Sequence, residues 1–185
     1  GIVGCKLIYP NGRIQHVFTQ ILVKPYRFFL LHYLHGKYMP QLPCFIKSEN
    51  KLPSGACALV KSSLLNKAKG FDENFSPYWL EDIDLFLRIV KMGHLSLIIT
   101  NVSIIHKEGA SFKKINLKIT EDDFIFFVQR KNMFYFLLKH YGWVSIVLQF
   151  WLIFFDSIFS ISYLKPRRRF LKKMFLVLEG LKEAN

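Results

Sequence analysis

Apolar positions dominate from Ile2 to Tyr9 and return from Arg13 to Phe18, with Pro10-Asn11-Gly12 between them. Asn-Gly between two such runs predicts a hairpin, because both residues enter positive φ at low cost. From 19 to 52 the pattern loses its period. This stretch is expected to be irregular and aromatic, with a short helix over Tyr26 to His35 and breaks at Pro40, Pro43 and Pro53. Two readings of it stay open: an excursion facing a substrate or a membrane, and a variable surface loop.

Periodicity sharpens after that. Leu59 to Lys61 reads as the end of a strand, Ser62 or Ser63 as a cap, and Leu64 to Lys69 as a short helix closed by Gly70. Phe71 to Phe75 reads as a turn. A helix is predicted from about Glu81 to Met92, stopped by Gly93. Ile83, Phe86, Leu87 and Val90 fall on one face of it, and Asp84 and Arg88 pair on the opposite, solvent-facing side. Leu95 to Thr100 and Val102 to Ile105 read as two strands ending at His106. Residues 107–120 form a basic loop, and 123–140 return to a helical pattern rich in Phe.

The last segment changes character at Trp143. Trp143 to Ile161 approaches the roughly 20 apolar residues that a bilayer span takes. Yet Ser145, Gln149, Asp156 and Ser160 are spaced to fall on one helical stripe. Asp156 near a bilayer centre would cost about 3 kcal/mol. A helix lying in the interface, or one whose stripe is covered by another segment, avoids that cost. Lys165, Arg167, Arg168, Arg169, Lys172 and Lys173 follow at once. Beside an apolar helix such cations are held by anionic lipid at about 1 kcal/mol each. A solvated face of an ordinary helix is the alternative. The reading adopted is membrane association, interfacial rather than spanning.

Charge supports it. The chain of 185 residues has a formal charge of +13, from 26 Lys and Arg against 13 Asp and Glu, and is 51% hydrophobic with 19 Phe. A basic balance favours anionic partners. Basic and greasy together select an anionic membrane surface over nucleic acid, for which no helix-turn-helix, zinc or RNA-recognition pattern is present. Cys5, Cys44 and Cys57 are odd in number and widely spaced, which fits neither a disulfide framework nor a zinc site. They read as buried, reduced thiols of a cytosolic protein.

The stretch with candidate chemistry is Gly70-Phe71-Asp72-Glu73, then Glu81-Asp82-Ile83-Asp84-Leu85-Phe86-Leu87-Arg88. Acids at a helix start are ordinarily caps that also meet the helix dipole. That explains Glu81, and Arg88 accounts for Asp84. Asp82 projects beside Phe86 and Ile89, at the edge of the buried arc. It is either a cap or a carboxylate held in a cleft for use.

Gly-Phe-Asp-Glu, then Glu-Asp-x-Asp-Leu-x-x-Arg, then Gly93, resembles the acceptor-site signature of family 2 glycosyltransferases, particularly rhamnosyltransferase-like members. Lys6 to Gly12 is similar to the family's strand and turn after the nucleotide site, and Pro53 to Lys61 to its Gly-containing strand. Ile104-Ile105-His106 with Gly109 and Ser111 resembles its late histidine element. Arg130-Lys131-Asn132 sits where the family often has an Arg-Asn pair opening a C-terminal helix. The likeness runs over most of 1–140.

It implies an α/β chain: residues 1–120 as the acceptor-side half of a GT-A, Rossmann-like domain, and 121–185 as a helical, membrane-associating tail. By this resemblance a sugar passes with inversion from a nucleotide-diphosphate donor to a glycan or lipid-linked acceptor, in surface polysaccharide synthesis at the cytoplasmic face of a bacterial inner membrane. Asp82 is then the base that takes the acceptor proton, and Glu81 orients it or contacts the acceptor. Gly55, Asp72 and Trp79 are expected at the substrate. His106 is the candidate ligand for a Mg²⁺ or Mn²⁺ ion on the diphosphate. For His106 a strand-end residue bonded to backbone, and for Gly55 a packing glycine, are the alternatives. The family's donor-binding strands and Asp-x-Asp element would precede Gly1, and Glu121-Asp122-Asp123 is in the wrong place to replace them. A truncated start is therefore expected, with no independent catalysis by these residues. A non-catalytic membrane-associated remnant of the same fold is the competing reading. His16, His32, His35, His94 and His140 show no pairing with acids at useful spacing and are read as structural or surface residues.

Overall fold

The computed structural model describes residues 1–24, 27–38, 41–107, 121–145 and 147. It is a mixed α/β structure whose chain divides into two compact units: residues 1–22, 29–72 and 81–115, and residues 23–28, 73–80 and 116–185.

The first unit is built on one central strand. β1 (Ile2–Ile8) and β2 (Ile14–His16) pair antiparallel, with Leu7 opposite His16 and Ile8 opposite Ile14. The turn between them is closed by Gly12 N–H donating to the Tyr9 carbonyl at 2.9 Å, and Gly12 sits at φ 77°. The hairpin read from Asn11-Gly12 is present. The other edge of β1 is taken along its length by β8 (Ser96–Ile105), running parallel. β5 (Phe45–Ser48) adds antiparallel to β8, and β7 (Ala58–Val60) pairs antiparallel with residues 2–4 of β1. β7 and β2 thus share one edge of β1, end to end. Ile14, Val17, Phe18 and Ile98 form a buried cluster beneath this sheet, with Tyr33, Leu34, Leu42 and Ile46 packed against it.

Where an irregular excursion is expected, the chain makes strands. β3 (Thr19–Lys24) lies between β4 (Arg27–His32) and β6 (Lys51–Leu52) in a second sheet. The helix expected over Tyr26 to His35 is therefore a strand over Arg27–His32, Tyr26 lying outside the described residues. Arg27-Phe28-Phe29-Leu30-Leu31 has no polar spacing that a 3.6-residue period can use, and a short apolar run of this kind is ambiguous until a neighbouring strand pairs with it.

Further expectations change. The two strands expected before His106 are the single β8, whose pairing with β1 jumps from Cys5 opposite Ile99 to Lys6 opposite Ser103. Thr100, Asn101 and Val102 sit in that bulge, which is why the sequence reads as two pieces. Helix α1 (Ser62–Lys67) begins after Lys61, which makes no side-chain cap bond, and Ser62 and Ser63 lie inside the helix. Its other end is closed as read: Lys69 and Gly70 take positive φ, and Gly70 N–H reaches the Leu65 carbonyl at 2.9 Å.

Helix α2 (Glu81–Lys91) has the predicted start, and Gly93 closes it at φ 86°. Its buried side is Ile83, Asp84, Leu85, Phe86 and Ile89, while Leu87 and Val90 are only half-buried. Asp84 is 0% exposed, so the pair with Arg88 faces inward, not solvent. The reason is what Arg88 does next. Besides its 2.8 Å bridge to Asp84 Oδ2, it donates to the carbonyls of Ala68 and Gly70, which close helix α1. Those carbonyls lack helical partners, and a guanidinium held by Asp84 supplies the donors.

In the second unit, helix α3 (Glu121–Tyr141) ends at Gly142, which has φ 78°. Arg130, Lys131 and Asn132 fall within the helix and do not open it. Among the described residues no helix is long and apolar enough to cross a membrane. The basic loop at 108–120 and most of the tail read from 143 onward, including Asp156 and the cations at 165–173, lie outside the described residues.

Candidate functional site

The acidic helix start and the glycine strand are 27 residues apart in sequence and meet at a clasp. Gly55 opens a 3-10 turn, η1 (Gly55–Cys57), whose N-cap Ser54 accepts from Ala56 N–H. Gly55 N–H donates to Asp82 Oδ2 at 2.7 Å, and Ile83 N–H donates to Asp82 Oδ1 at 2.8 Å. Each carboxylate oxygen thus accepts one backbone bond and keeps a second lone-pair direction. Asp82 is half-buried, at the edge of the buried arc where the helical projection put it.

Gly55 is required by this contact. A Cβ on it would stand 2.6 Å from Asp82 Cβ and 3.0 Å from Oδ2. Gly55→Ala is expected to push η1 off the carboxylate and destabilise the chain by roughly 1–3 kcal/mol. Urea unfolding of the variant checks the magnitude; an unchanged midpoint would show the turn accommodates the methyl group.

β7 runs antiparallel to β1, so residues 60 to 58 climb β1 from Ile2 to Gly4, and η1 continues toward its carboxyl end. Carboxyl ends of parallel strands are where open α/β sheets place ligands. His106 stands at that end of the β1–β8 pair, its N–H bonded to the Ile8 carbonyl at 3.1 Å. Its Nδ1 lies 3.0 Å from Gln15 Oε1, which can only accept. In the tautomer whose Nδ1–H donates to that oxygen, Nε2 is the ring's accepting atom. Among the described residues, no group of three or more His, Cys, Asp or Glu could hold a metal ion.

Of the other expected site residues, Glu81 and Asp72 are half-buried in the first unit. Trp79 belongs to the second unit. There Trp79 and Leu80 take φ of 81° and 74°, unusual for non-glycine residues and costing about 1–3 kcal/mol each. Asn132 holds the turn. Fully buried, it donates through Nδ2 to the carbonyls of Phe75, Tyr78 and Trp79 at 2.7, 2.6 and 2.9 Å. Lys131 Nζ adds bonds to the carbonyls of Asn74 and Ser76. The resemblance points to Arg130-Lys131-Asn132 as an Arg-Asn pair, but it is Lys131 and Asn132 that hold the turn at 74–79.

Three histidines read as structural or surface residues are joined by hydrogen bonds. His16 Nε2 lies 2.8 Å from Thr19 Oγ1, which lies 3.1 Å from His32 Nδ1, and His35 Nδ1 bonds the Gln15 carbonyl. No carboxylate spacing announces them, since the bridge is a threonine. Burial, then the charges of His32 and His35, push the His16 imidazole down from 6.5 to about 3. Between those values the unfolded chain binds a proton that the folded one refuses, so stability falls as pH drops from about 6.5 toward 3. The expected loss is about 2 kcal/mol at pH 5. Urea unfolding at pH 7.5 and 5 measures it, and His16→Gln should flatten that part of the acid limb.

No protein-family model matches the chain, and no solved structure does. It is 38% identical over 58 residues, 31% of its length, to N-acetylglucosaminyl-diphospho-decaprenol L-rhamnosyltransferase of Mycobacterium tuberculosis, in two strains. Part of this chain is similar to a glycosyltransferase. A second likeness, 29% over 114 residues or 60% of the chain, is to an uncharacterized protein of Sinorhizobium fredii. The matches span 19% and 12% of those relatives' own lengths. The first of these likenesses suggests a glycosyltransferase-related function.

Proposed function

We propose that the intact protein is a GT-A-type glycosyltransferase that moves a sugar, with inversion, from a nucleotide-diphosphate donor to a hydroxyl of a glycan or lipid-linked acceptor. The observation that carries this is the 58-residue likeness to a rhamnosyltransferase whose name specifies a lipid-diphosphate acceptor. The clasp supports this reading. Asp82, fixed by two backbone N–H groups, serves as the base that takes the proton from the acceptor oxygen as that oxygen attacks the anomeric carbon. The carbon–oxygen bond to the diphosphate breaks on the opposite face. Glu81 orients the base or contacts the acceptor, and Gly55 and Asp72 contribute to substrate binding.

A Mg²⁺ or Mn²⁺ ion on the diphosphate would offset its leaving charge. His106 Nε2 would take one coordination position, and the described residues supply no complete ligand set. The basic tail would hold the protein on the anionic cytoplasmic face of a bacterial inner membrane, near a lipid-linked acceptor.

The test is transfer itself. Full-length protein is incubated with bacterial membranes and a panel of labelled nucleotide-diphosphate sugars, with Mg²⁺ or Mn²⁺. Label entering the lipid fraction with release of nucleoside diphosphate is the expected result; no incorporation from any donor sinks the enzymatic reading. One observation favours a second reading. Both Asp82 oxygens are engaged by backbone, as a purely structural latch would have them, so a non-catalytic membrane-associated module of the same fold is the alternative that a negative assay would leave.

A further inference from the structure

Cys5 and Cys57 lie 52 residues apart in sequence, yet their Sγ atoms are 3.2 Å apart. The strand register brings them together: Ile2 faces Val60, Val3 faces Leu59 and Gly4 faces Ala58, so Cys57 falls opposite Cys5 where β7 passes into η1. Directly opposed antiparallel residues have Cα atoms about 4.5–5.5 Å apart, inside the roughly 4.4–6.8 Å that a disulfide spans. Both thiols are free in this structure, Cys5 buried and Cys57 half-buried, while Cys44 stands apart and exposed.

We propose that Cys5 and Cys57 form a dithiol modification site that a small-molecule disulfide oxidises to an intramolecular disulfide bridging β1 and η1. The two sulfurs have different roles. Burial, and then the hydrogen bond to Cys57, push the Cys5 thiol up to about 12, so it stays protonated and donates to Cys57 Sγ. Cys57, with access to solvent, is the sulfur that attacks the reagent. The reagent's S–S bond breaks, one thiolate leaves, and a mixed disulfide forms on Cys57. Cys5 Sγ then attacks Cys57 Sγ, and the second reagent thiolate departs and takes the Cys5 proton. Two protein thiols are oxidised to one disulfide, and one reagent disulfide is reduced to two thiols. The new bond shortens the sulfur separation by about 1 Å in the turn whose first residue, Gly55, clasps Asp82.

The site does not depend on the transferase reading, and its test does not use activity. Purified full chain is treated with oxidised glutathione, denatured under acid, and its free thiols counted. In the Cys44→Ser chain, which lacks the exposed thiol that glutathione would cap, the expected reading is a fall from two thiols to none, a mass loss of about 2 Da, and a peptide cross-linked between residues 5 and 57. Closing so long a loop should also raise the unfolding midpoint by roughly 5 °C or more, reversed by dithiothreitol. Cys44→Ser should keep the bridge and Cys57→Ser abolish it. Cys5→Ala adds a second check, and because Cys57 is only half-buried its serine variant keeps the test open if the Cys5 variant misfolds. A thiol count that stays at two in the Cys44→Ser chain overturns the proposal. So does a glutathione adduct that stops on Cys57, or bridges that form only between chains through Cys44.

Discussion

Asp82→Asn in the full-length protein lowers sugar transfer about 10²–10⁴-fold, the range expected when a general base is removed. Asparagine keeps the size of the side chain and one accepting oxygen. Its amide end must then face either Gly55 N–H or Ile83 N–H, so one of the two clasp bonds is lost. That loss alone weakens folding by about 1 kcal/mol, which neither empties the native state nor explains a hundredfold drop. The diagnostic pattern is a fall in kcat with KM for the acceptor nearly unchanged, because the proton moves only as the new bond forms. Near-normal turnover in the variant would remove Asp82 as the base. A fall in activity that tracks the fraction unfolded would leave the carboxylate as a latch and nothing more.

Arg88→Ala should unfold the chain more readily than Gly55→Ala or Asp82→Asn, with a loss of about 3–5 kcal/mol. The guanidinium bridges Asp84, which is 0% exposed, and caps the carbonyls of Ala68 and Gly70 at the end of α1. Alanine leaves a carboxylate inside without its guanidinium and withdraws the donors that close α1. In a chain of this length the unfolding midpoint should drop by roughly 10 °C. Replacing the pair together, Asp84→Leu with Arg88→Met, removes the buried charges and should recover a large part of the loss, since an apolar pair of similar volume needs no partner. Equal destabilisation in the single and double variants would mean that the carbonyl caps, and not the ion pair, dominate.

The pair illustrates how far a helical projection reaches. Spacing of four residues correctly joins Asp84 to Arg88, because that geometry belongs to the helix alone. Which way the pair faces depends on α1, whose open carbonyls draw the guanidinium inward, and a projection of α2 cannot contain that. The hairpin at Asn11-Gly12 and the stops at Gly70 and Gly93 were legible for the same local reason: φ near 70–90° is a property of single residues. The strands at 19–32 were not legible, since a short aromatic run takes its conformation from the strand beside it. The histidine chain through Thr19 had no motif to announce it.

The sequence by itself determined the local parts: turns, helix ends, the apolar run of β1, the acidic start of α2 and a likeness to sugar transferases. Tertiary structure alone decided the pairings: Gly55 against Asp82, Arg88 against the end of α1, Asn132 against the turn at 75–79, and Cys5 against Cys57. Helix and turn geometry is set within a few residues, so a linear pattern records it. Contacts between residues 18 to 57 positions apart exist only once strand register is fixed, and register is set by the packing of the whole sheet.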